Sequence, residues 1–294
     1  MASQRRQKPP GIVREQTSRR LCRILANAAA AAIIPHVAAG QITCPQSPTL
    51  PAYAHNDYEN PRPLHHALAL GFRGVEADLF LSGGELRVAH SGAESTAGHT
   101  LETMYLRPLR AILHQCGHVL NPATALLLNL ELKERSRPAY DSLLAVLQRY
   151  SDLFEEPPTQ SVAAVEIILV GWSPPGLEAK TAIERRLGSQ YRTATLTSTS
   201  APDPSEPVRL ISLDYGRTIG WSGRGPMPQH AAAWLSRVQG VKRSSPRCLA
   251  RVYNAPANAA VYRLLLEGGI DLIGTEDLRA THRVLRQLGR VHSR

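Results

Sequence analysis

Aromatic side chains make up only 5% of the 294 residues, so the core must be built mainly from Ala, Leu, Val and Ile. There are four cysteines, Cys22, Cys44, Cys116 and Cys248, and their spacings match no zinc motif. At most one disulfide is expected once Cys22 leaves with an export signal; buried thiols are the simpler expectation. No segment beyond the first forty residues approaches the ~20 apolar positions that a membrane-spanning helix needs. A Walker A loop, a dinucleotide fingerprint, a Gly-x-Ser-x-Gly elbow and a Cys-x-x-Cys pair are all missing, which removes the chemistries those motifs carry. Acidic residues are in deficit, 24 against 34 Lys plus Arg, for a formal charge of +10. Seven of the basic groups and a single acid, Glu15, fall within residues 1–40, so the remainder is only mildly basic. That distribution argues against nucleic acid as a partner, and Lys242, Arg243 and Arg247 read as a solvated face.

The amino terminus has the features of an address. A polar, Arg-rich stretch ends at Ser18-Arg19-Arg20, an Ala-rich run follows from Ile24 to Ala39, and Val37-Ala38-Ala39 offers small residues for cleavage. The arginine pair resembles the start of a twin-arginine signal, with Cys22 and Arg23 where apolar residues are expected. Export to the periplasm or medium is the expectation; a disordered basic tail is the alternative. Residues 41–50 then read as a linker with Pro45 and Pro48, and 51–294 as one domain.

Short apolar runs alternate with helical stretches throughout that domain. Strands are expected at Ala52–His55, Gly74–Leu79, Leu86–His90, Ala125–Leu132, Val165–Gly171, Val208–Leu213, Cys248–Tyr253 and Ile270–Gly274. Helices are expected at Pro63–Leu70, Leu101–Gln115, Pro138–Tyr150, Gly176–Leu187, Pro228–Val238, Ala257–Glu267 and Leu278–Leu288, and Thr195–Pro207 reads as a loop. Runs such as Ile167-Ile168-Leu169-Val170 are apolar on both faces, as buried parallel strands are. Roughly eight strand–helix units in about 250 residues predict an α/β fold of the closed (β/α)8 TIM-barrel type.

The chemistry-bearing residues sit at the ends of these strands. His55 closes the first, Glu76 and Asp78 lie in the second, His90 ends the third, and Glu131 and Lys133 end the fourth. Glu76 and Asp78 are two apart, so a strand points both to one face. Two like charges among apolar neighbours are costly unless something neutralises them. A divalent cation would, and hard oxygen donors suit Mg²⁺ or Ca²⁺, with Glu131 as a third ligand. A pair of salt bridges at a barrel mouth is the alternative. His55 and His90 bracket the pair at 21 and 12 residues. Two imidazoles can supply the base and the acid that phosphodiester cleavage requires.

This order resembles the glycerophosphodiester phosphodiesterase and phosphatidylinositol-phospholipase-C-like superfamily. It is most similar to the subgroup typified by the "altered inheritance of mitochondria 6" protein. The residues that carry the resemblance are His55-Asn56-Asp57-Tyr58, Ala67–Asp78 with its Val75-Glu76-Ala77-Asp78, Met104–Leu109, and Gly269–Leu278. The resemblance implies a TIM-barrel phosphodiesterase. His55 and His90 match the acid/base histidines, Glu76, Asp78 and Glu131 the metal ligands, and Lys133 a phosphate-side lysine. Asn56 stands where the true glycerophosphodiesterases have Arg, so it falls among the substrate-side groups. Arg251 matches a strand-end Arg that meets the phosphate, with an ion pair to Glu276 or Asp277 as the alternative. Trp221 either lines the pocket or packs a loop. His65-His66 reads as helix surface.

The expected activity is metal-assisted hydrolysis of a glycerophosphodiester or phospholipid-type substrate, with peripheral membrane contact as part of the same expectation. The alternatives are a non-catalytic phosphoester-binding barrel and a metal-free lyase of the phosphoinositide type.

Overall fold

A computed structural model describes residues 44–155, 162–170, 192–195 and 208–292. Its strands are β1 (Leu50–Ala54), β2 (Phe72–Ser82), β3 (Glu85–Val88), β4 (Leu126–Leu132), β5 (Val165–Val170), β6 (Arg192–Thr195), β7 (Val208–Asp214), β8 (Leu249–Tyr253) and β9 (Leu272–Thr275). Every strand except β3 pairs in parallel with two neighbours in the order β1-β2-β4-β5-β6-β7-β8-β9, and β9 returns to β1. Eight parallel strands therefore close a ring, and the barrel expected from the sequence is the fold.

The membership of the ring differs from expectation in two places. The run Leu86–His90 is not a barrel strand: β3 pairs antiparallel with the far half of β2, Leu79 opposite Val88 and Ser82 opposite Glu85. The physical cause is Gly83-Gly84, both with positive φ (60° and 80°), which turns the chain straight back on itself. The missing ring member is β6, a four-residue strand rich in Thr and Arg without an apolar run to announce it. The helix expected at Gly176–Leu187 and most of the loop expected at Thr195–Pro207 lie outside the described residues.

The helices follow their strands: α1 (His65–Ala69), α2 (Arg107–Cys116), α3 (Arg137–Gln148), and then α4 (Gln229–Ser244), α5 (Ala259–Glu267) and α6 (Leu278–His292). Their starts are chemically marked. Ser136 accepts from the Ala139 amide with Pro138 in the first turn of α3, and Asn258 accepts from the amides of Ala260 and Val261 at α5.

Strand alternation then divides the side chains. Outward residues such as Val75, Ala77, Leu128 and Leu130 join Leu109, Leu143, Val238 and Leu265 of the helices in the main core. Inside the ring, Tyr53, Leu127, Ile168, Leu210 and Leu272 form a separate apolar plug. Each such side chain stabilises by about 1.5–3 kcal/mol on full burial. Tyr53 fits because its neighbour across the register is Gly74; a Cβ there would lie 2.7 Å from the tyrosine ring. The next inward positions are polar, and they form the floor of the site.

Residues 44–49, read as a linker, are fastened to the domain. Cys44 is disulfide-bonded to Cys116 at the end of α2, and the Ser47 hydroxyl donates to the Ala69 carbonyl at 2.9 Å. Buried thiols are thus the wrong expectation for this pair; among the described residues, Cys248 is free and buried. The two cysteines lie 72 positions apart, and only the return of α2 to the start of β1 brings them together.

Candidate active site

Glu76 and Asp78 of β2 point into the barrel with exposures of 2% and 1%. Register places Asp78 beside Glu131 of β4, and Glu76 beside Asn129. One oxygen from each of Glu76, Asp78 and Glu131 lies within 4.8 Å of the others. The three carboxylates, Glu76 and Asp78 from one strand and Glu131 from another, therefore cluster.

Two cations sit against it. The Lys133 ammonium is 2.9 Å from Asp78 Oδ2 and 3.1 Å from Glu131 Oε2. Burial pulls this lysine down, but the hydrogen bond and charge of Asp78, with Glu131, outweigh it and hold its pKa above the usual value. Arg251 of β8 is 5% exposed, reaches Glu76 Oε2 at 3.5 Å, donates to Ser212 at 3.0 Å and lies 4.6 Å over the Tyr53 ring. Its carboxylate partner is thus Glu76, not Glu276 or Asp277 as the alternative had it. Asp277 instead accepts from the Ala280 amide in the first turn of α6.

His55 follows β1 directly. Its Nε2 is 3.5 Å from Glu76 Oε2, its Nδ1 is 3.1 Å from Glu276 Oε1, and its ring stacks on Tyr253 at 5.9 Å. His90 reaches the site by the β2–β3 hairpin. β2 overshoots the rim, β3 returns, and Ala89 N donates to Asp78 O at 3.2 Å, so His90 lies beside the trio with its side chain 57% exposed. Its Nδ1 is 3.6 Å from Asp78 Oδ2. Both histidines thus flank the carboxylates, each against a different one.

Tyr58 and Asp57 had no role expected from the sequence, and Glu276 only that of an alternative partner for Arg251. Tyr58 donates to Asp78 Oδ2 at 2.8 Å and lies 3.3 Å from His90 Nδ1. Burial, and then the Asp78 charge, push its hydroxyl pKa far up, so it remains a donor at working pH. Glu276 orients His55. Asp57, fully buried, accepts from the Leu64 amide at 2.6 Å and the Tyr105 hydroxyl at 3.0 Å. It pins the loop that carries Asn56 (φ 47°) and Leu64 (φ 60°) in left-handed backbone. The only advance signal was position: Asp57 and Tyr58 complete His55-Asn56-Asp57-Tyr58, and Glu276 begins where β9 ends. Asn56 meets Tyr58 at 3.2 Å. Trp221 packs a loop: its indole donates to Arg224 O, and its carbonyl accepts from Tyr215.

The donor set suits a hard divalent cation. It consists of carboxylates alone, and Asp78 Oδ1 is buried without a hydrogen-bond partner. A carboxylate oxygen left so is costly in the interior, and a bound cation would satisfy it.

Residues 46–127 match the AIM6-like phosphodiesterase domain. The matched stretch holds His55, Glu76, Asp78 and His90, while Glu131, Lys133 and Gly269–Leu278, which also carry the resemblance, fall outside it. No curated protein matches the chain. Among solved structures, a glycerophosphodiester phosphodiesterase from Agrobacterium tumefaciens is 13% identical with a TM-score of 0.43, over 81% of this chain and 100% of that one. An Oleispira antarctica phosphodiesterase in complex with the product sn-glycerol-3-phosphate is 12% identical with a TM-score of 0.48, over 81% and 97%. A tryptophan synthase α-subunit from Pyrococcus furiosus is 15% identical with a TM-score of 0.47, over 84% and 100%. The barrel assignment rests on the strand pairings themselves.

Proposed function

We propose that the protein is an exported, metal-assisted phosphodiesterase acting on a glycerophosphodiester or a phospholipid-derived diester. The observation that carries the reading is the meeting of Glu76, Asp78 and Glu131 within 4.8 Å between two histidines at one barrel mouth. Mg²⁺ or Ca²⁺ held by these three carboxylates would polarise the phosphoryl group and offset its negative charge. Glu276 accepts from His55 Nδ1, which leaves Nε2 for proton transfer. His90 presents an exposed ring on the opposite flank. One imidazole takes the proton of the attacking hydroxyl, and the other gives a proton to the leaving alkoxide. Lys133 and Arg251 supply positive charge towards the phosphoryl oxygens and become freer to do so when the carboxylates have another partner. The Asn56 amide, next to His55 in the chain, would contact the substrate.

Export has two supports: the Arg- and Ala-rich first forty residues, and the Cys44–Cys116 bond, which belongs in an oxidising compartment. The test is release of alcohol from a panel of phosphodiesters with and without EDTA, in the wild type and in His55→Ala. Turnover that disappears in chelator and falls by at least ~10²-fold in the variant supports the reading. Turnover indifferent to both removes it.

A metal-free lyase has one observation in its favour: Lys133 and Arg251 already neutralise the trio. It predicts EDTA-resistant formation of a cyclic phosphate in the same assay.

A further inference from the structure

We infer that Tyr58 is a positioning residue that couples the acidic cluster to His90, fixing at once which oxygen Asp78 presents and which nitrogen His90 leaves free. The inference rests on the phosphodiesterase reading for its catalytic meaning, but its geometry stands without it.

The argument is a count of protons. The Tyr58 hydroxyl has one hydrogen and three neighbours: Asp78 Oδ2 at 2.8 Å, Asn56 Oδ1 at 3.2 Å and His90 Nδ1 at 3.3 Å. A carboxylate is the strongest acceptor of the three and the nearest, so the hydrogen goes to Asp78. The hydroxyl oxygen must then accept from the other two. Towards Asn56 this needs the amide turned so that its nitrogen donates. Towards His90 it needs Nδ1 to carry the proton. The neighbouring Asp78 Oδ2, 3.6 Å from the same nitrogen, is beyond hydrogen-bond distance, so the Tyr58 hydroxyl is the group that fixes it. His90 is therefore the Nδ1–H tautomer, and its free lone pair is on Nε2.

The same hydrogen bond acts on Asp78. Tyr58 and Lys133 both donate to Oδ2, at 2.8 and 2.9 Å, while Oδ1 stays buried and unpartnered. Two donors on one oxygen fix the carboxylate's rotation and reserve the other oxygen for a ligand. Tyr58 is half-buried on the single-turn helix Asp57–Glu59, whose Asp57 is held by the Leu64 amide, so it holds both groups from an anchored turn.

The test is imidazole ¹⁵N NMR of His90 in the full chain, with Mn²⁺ or Mg²⁺ affinity measured by calorimetry, for the wild type and Tyr58→Phe. The expected wild-type signature is a protonated Nδ1. In Tyr58→Phe it shifts towards the Nε2–H form, cation affinity weakens by about tenfold, and kcat falls with KM within about twofold. A wild-type His90 already in the Nε2–H form overturns the proposal whether or not the variant folds. An unchanged tautomer and unchanged affinity in a folded Tyr58→Phe overturn it as well. If the tautomer and affinity shift as expected but no diester is turned over, the phosphodiesterase reading fails and the role of Tyr58 stands.

Discussion

Asp78 and Glu131 are register partners on adjacent parallel strands, so their carboxylates are neighbours by backbone pairing rather than by loop conformation. Lys133, two positions beyond Glu131, bridges both oxygens at 2.9 and 3.1 Å. A site built on strands in this way is rigid, and its behaviour under single substitutions can be stated.

The His55–Glu276 contact gives the first. Replacing Glu276 by Gln removes the charge that orients Nδ1 but leaves Glu76, Asp78 and Glu131 intact. Diester turnover should fall by about 10- to 100-fold with cation affinity unchanged. Steady-state kinetics and calorimetry on one preparation check it.

Asp57 makes stability depend on pH. Burial, opposed by the hydrogen bonds from Leu64 and Tyr105, raises its carboxyl from the ordinary 3.8 to about 6. A carboxyl whose folded pKa is raised favours folding while it is protonated in both states. That contribution is whole below about pH 4 and is lost as pH rises through about 6. Asp57→Asn keeps an oxygen acceptor and does not titrate. Relative to it, the wild type should lose on the order of 2–3 kcal/mol between pH 4 and pH 7, read by urea unfolding at both values.

The Cys44–Cys116 bond closes a 72-residue separation that contains His55, Glu76, Asp78 and His90. Cys44→Ser should lower stability by about 2–4 kcal/mol. Denaturation of the wild type in reductant should match the variant, and the variant should not respond to reductant.

Gly74 faces the Tyr53 ring, and a Cβ would come within 2.7 Å of it. Gly74→Ala should cost about 1–3 kcal/mol by overpacking. Gly84→Ala, where a Cβ meets nothing within 4 Å but φ is 80°, separates backbone strain from packing in the same thermal melts.

Much of this was legible beforehand because it is local. Glu76 and Asp78 share a face through strand period alone, and buried parallel strands announce themselves by runs such as Leu126-Leu127-Leu128. What escaped was set by long-range closure or by weak local signal. β6 has no apolar run. Leu86–His90 reads as a strand, and its first three residues belong to one that ends at Val88, but only the two glycines decide that it folds back onto β2. The disulfide and the His55–Glu276 contact join residues 72 and 221 positions apart, and no spacing rule reaches that far. Tyr58 sat inside the quoted motif without a role, because its meaning lies in three neighbours from three segments.

The most direct test of the whole account is a crystal of the protein soaked in Mn²⁺ and measured at the manganese edge. An anomalous peak bound by oxygens of Glu76, Asp78 and Glu131, and lost in Asp78→Asn, is the predicted result. A soaked crystal in which Lys133 still spans Asp78 and Glu131 and no peak lies among the three carboxylates would contradict it.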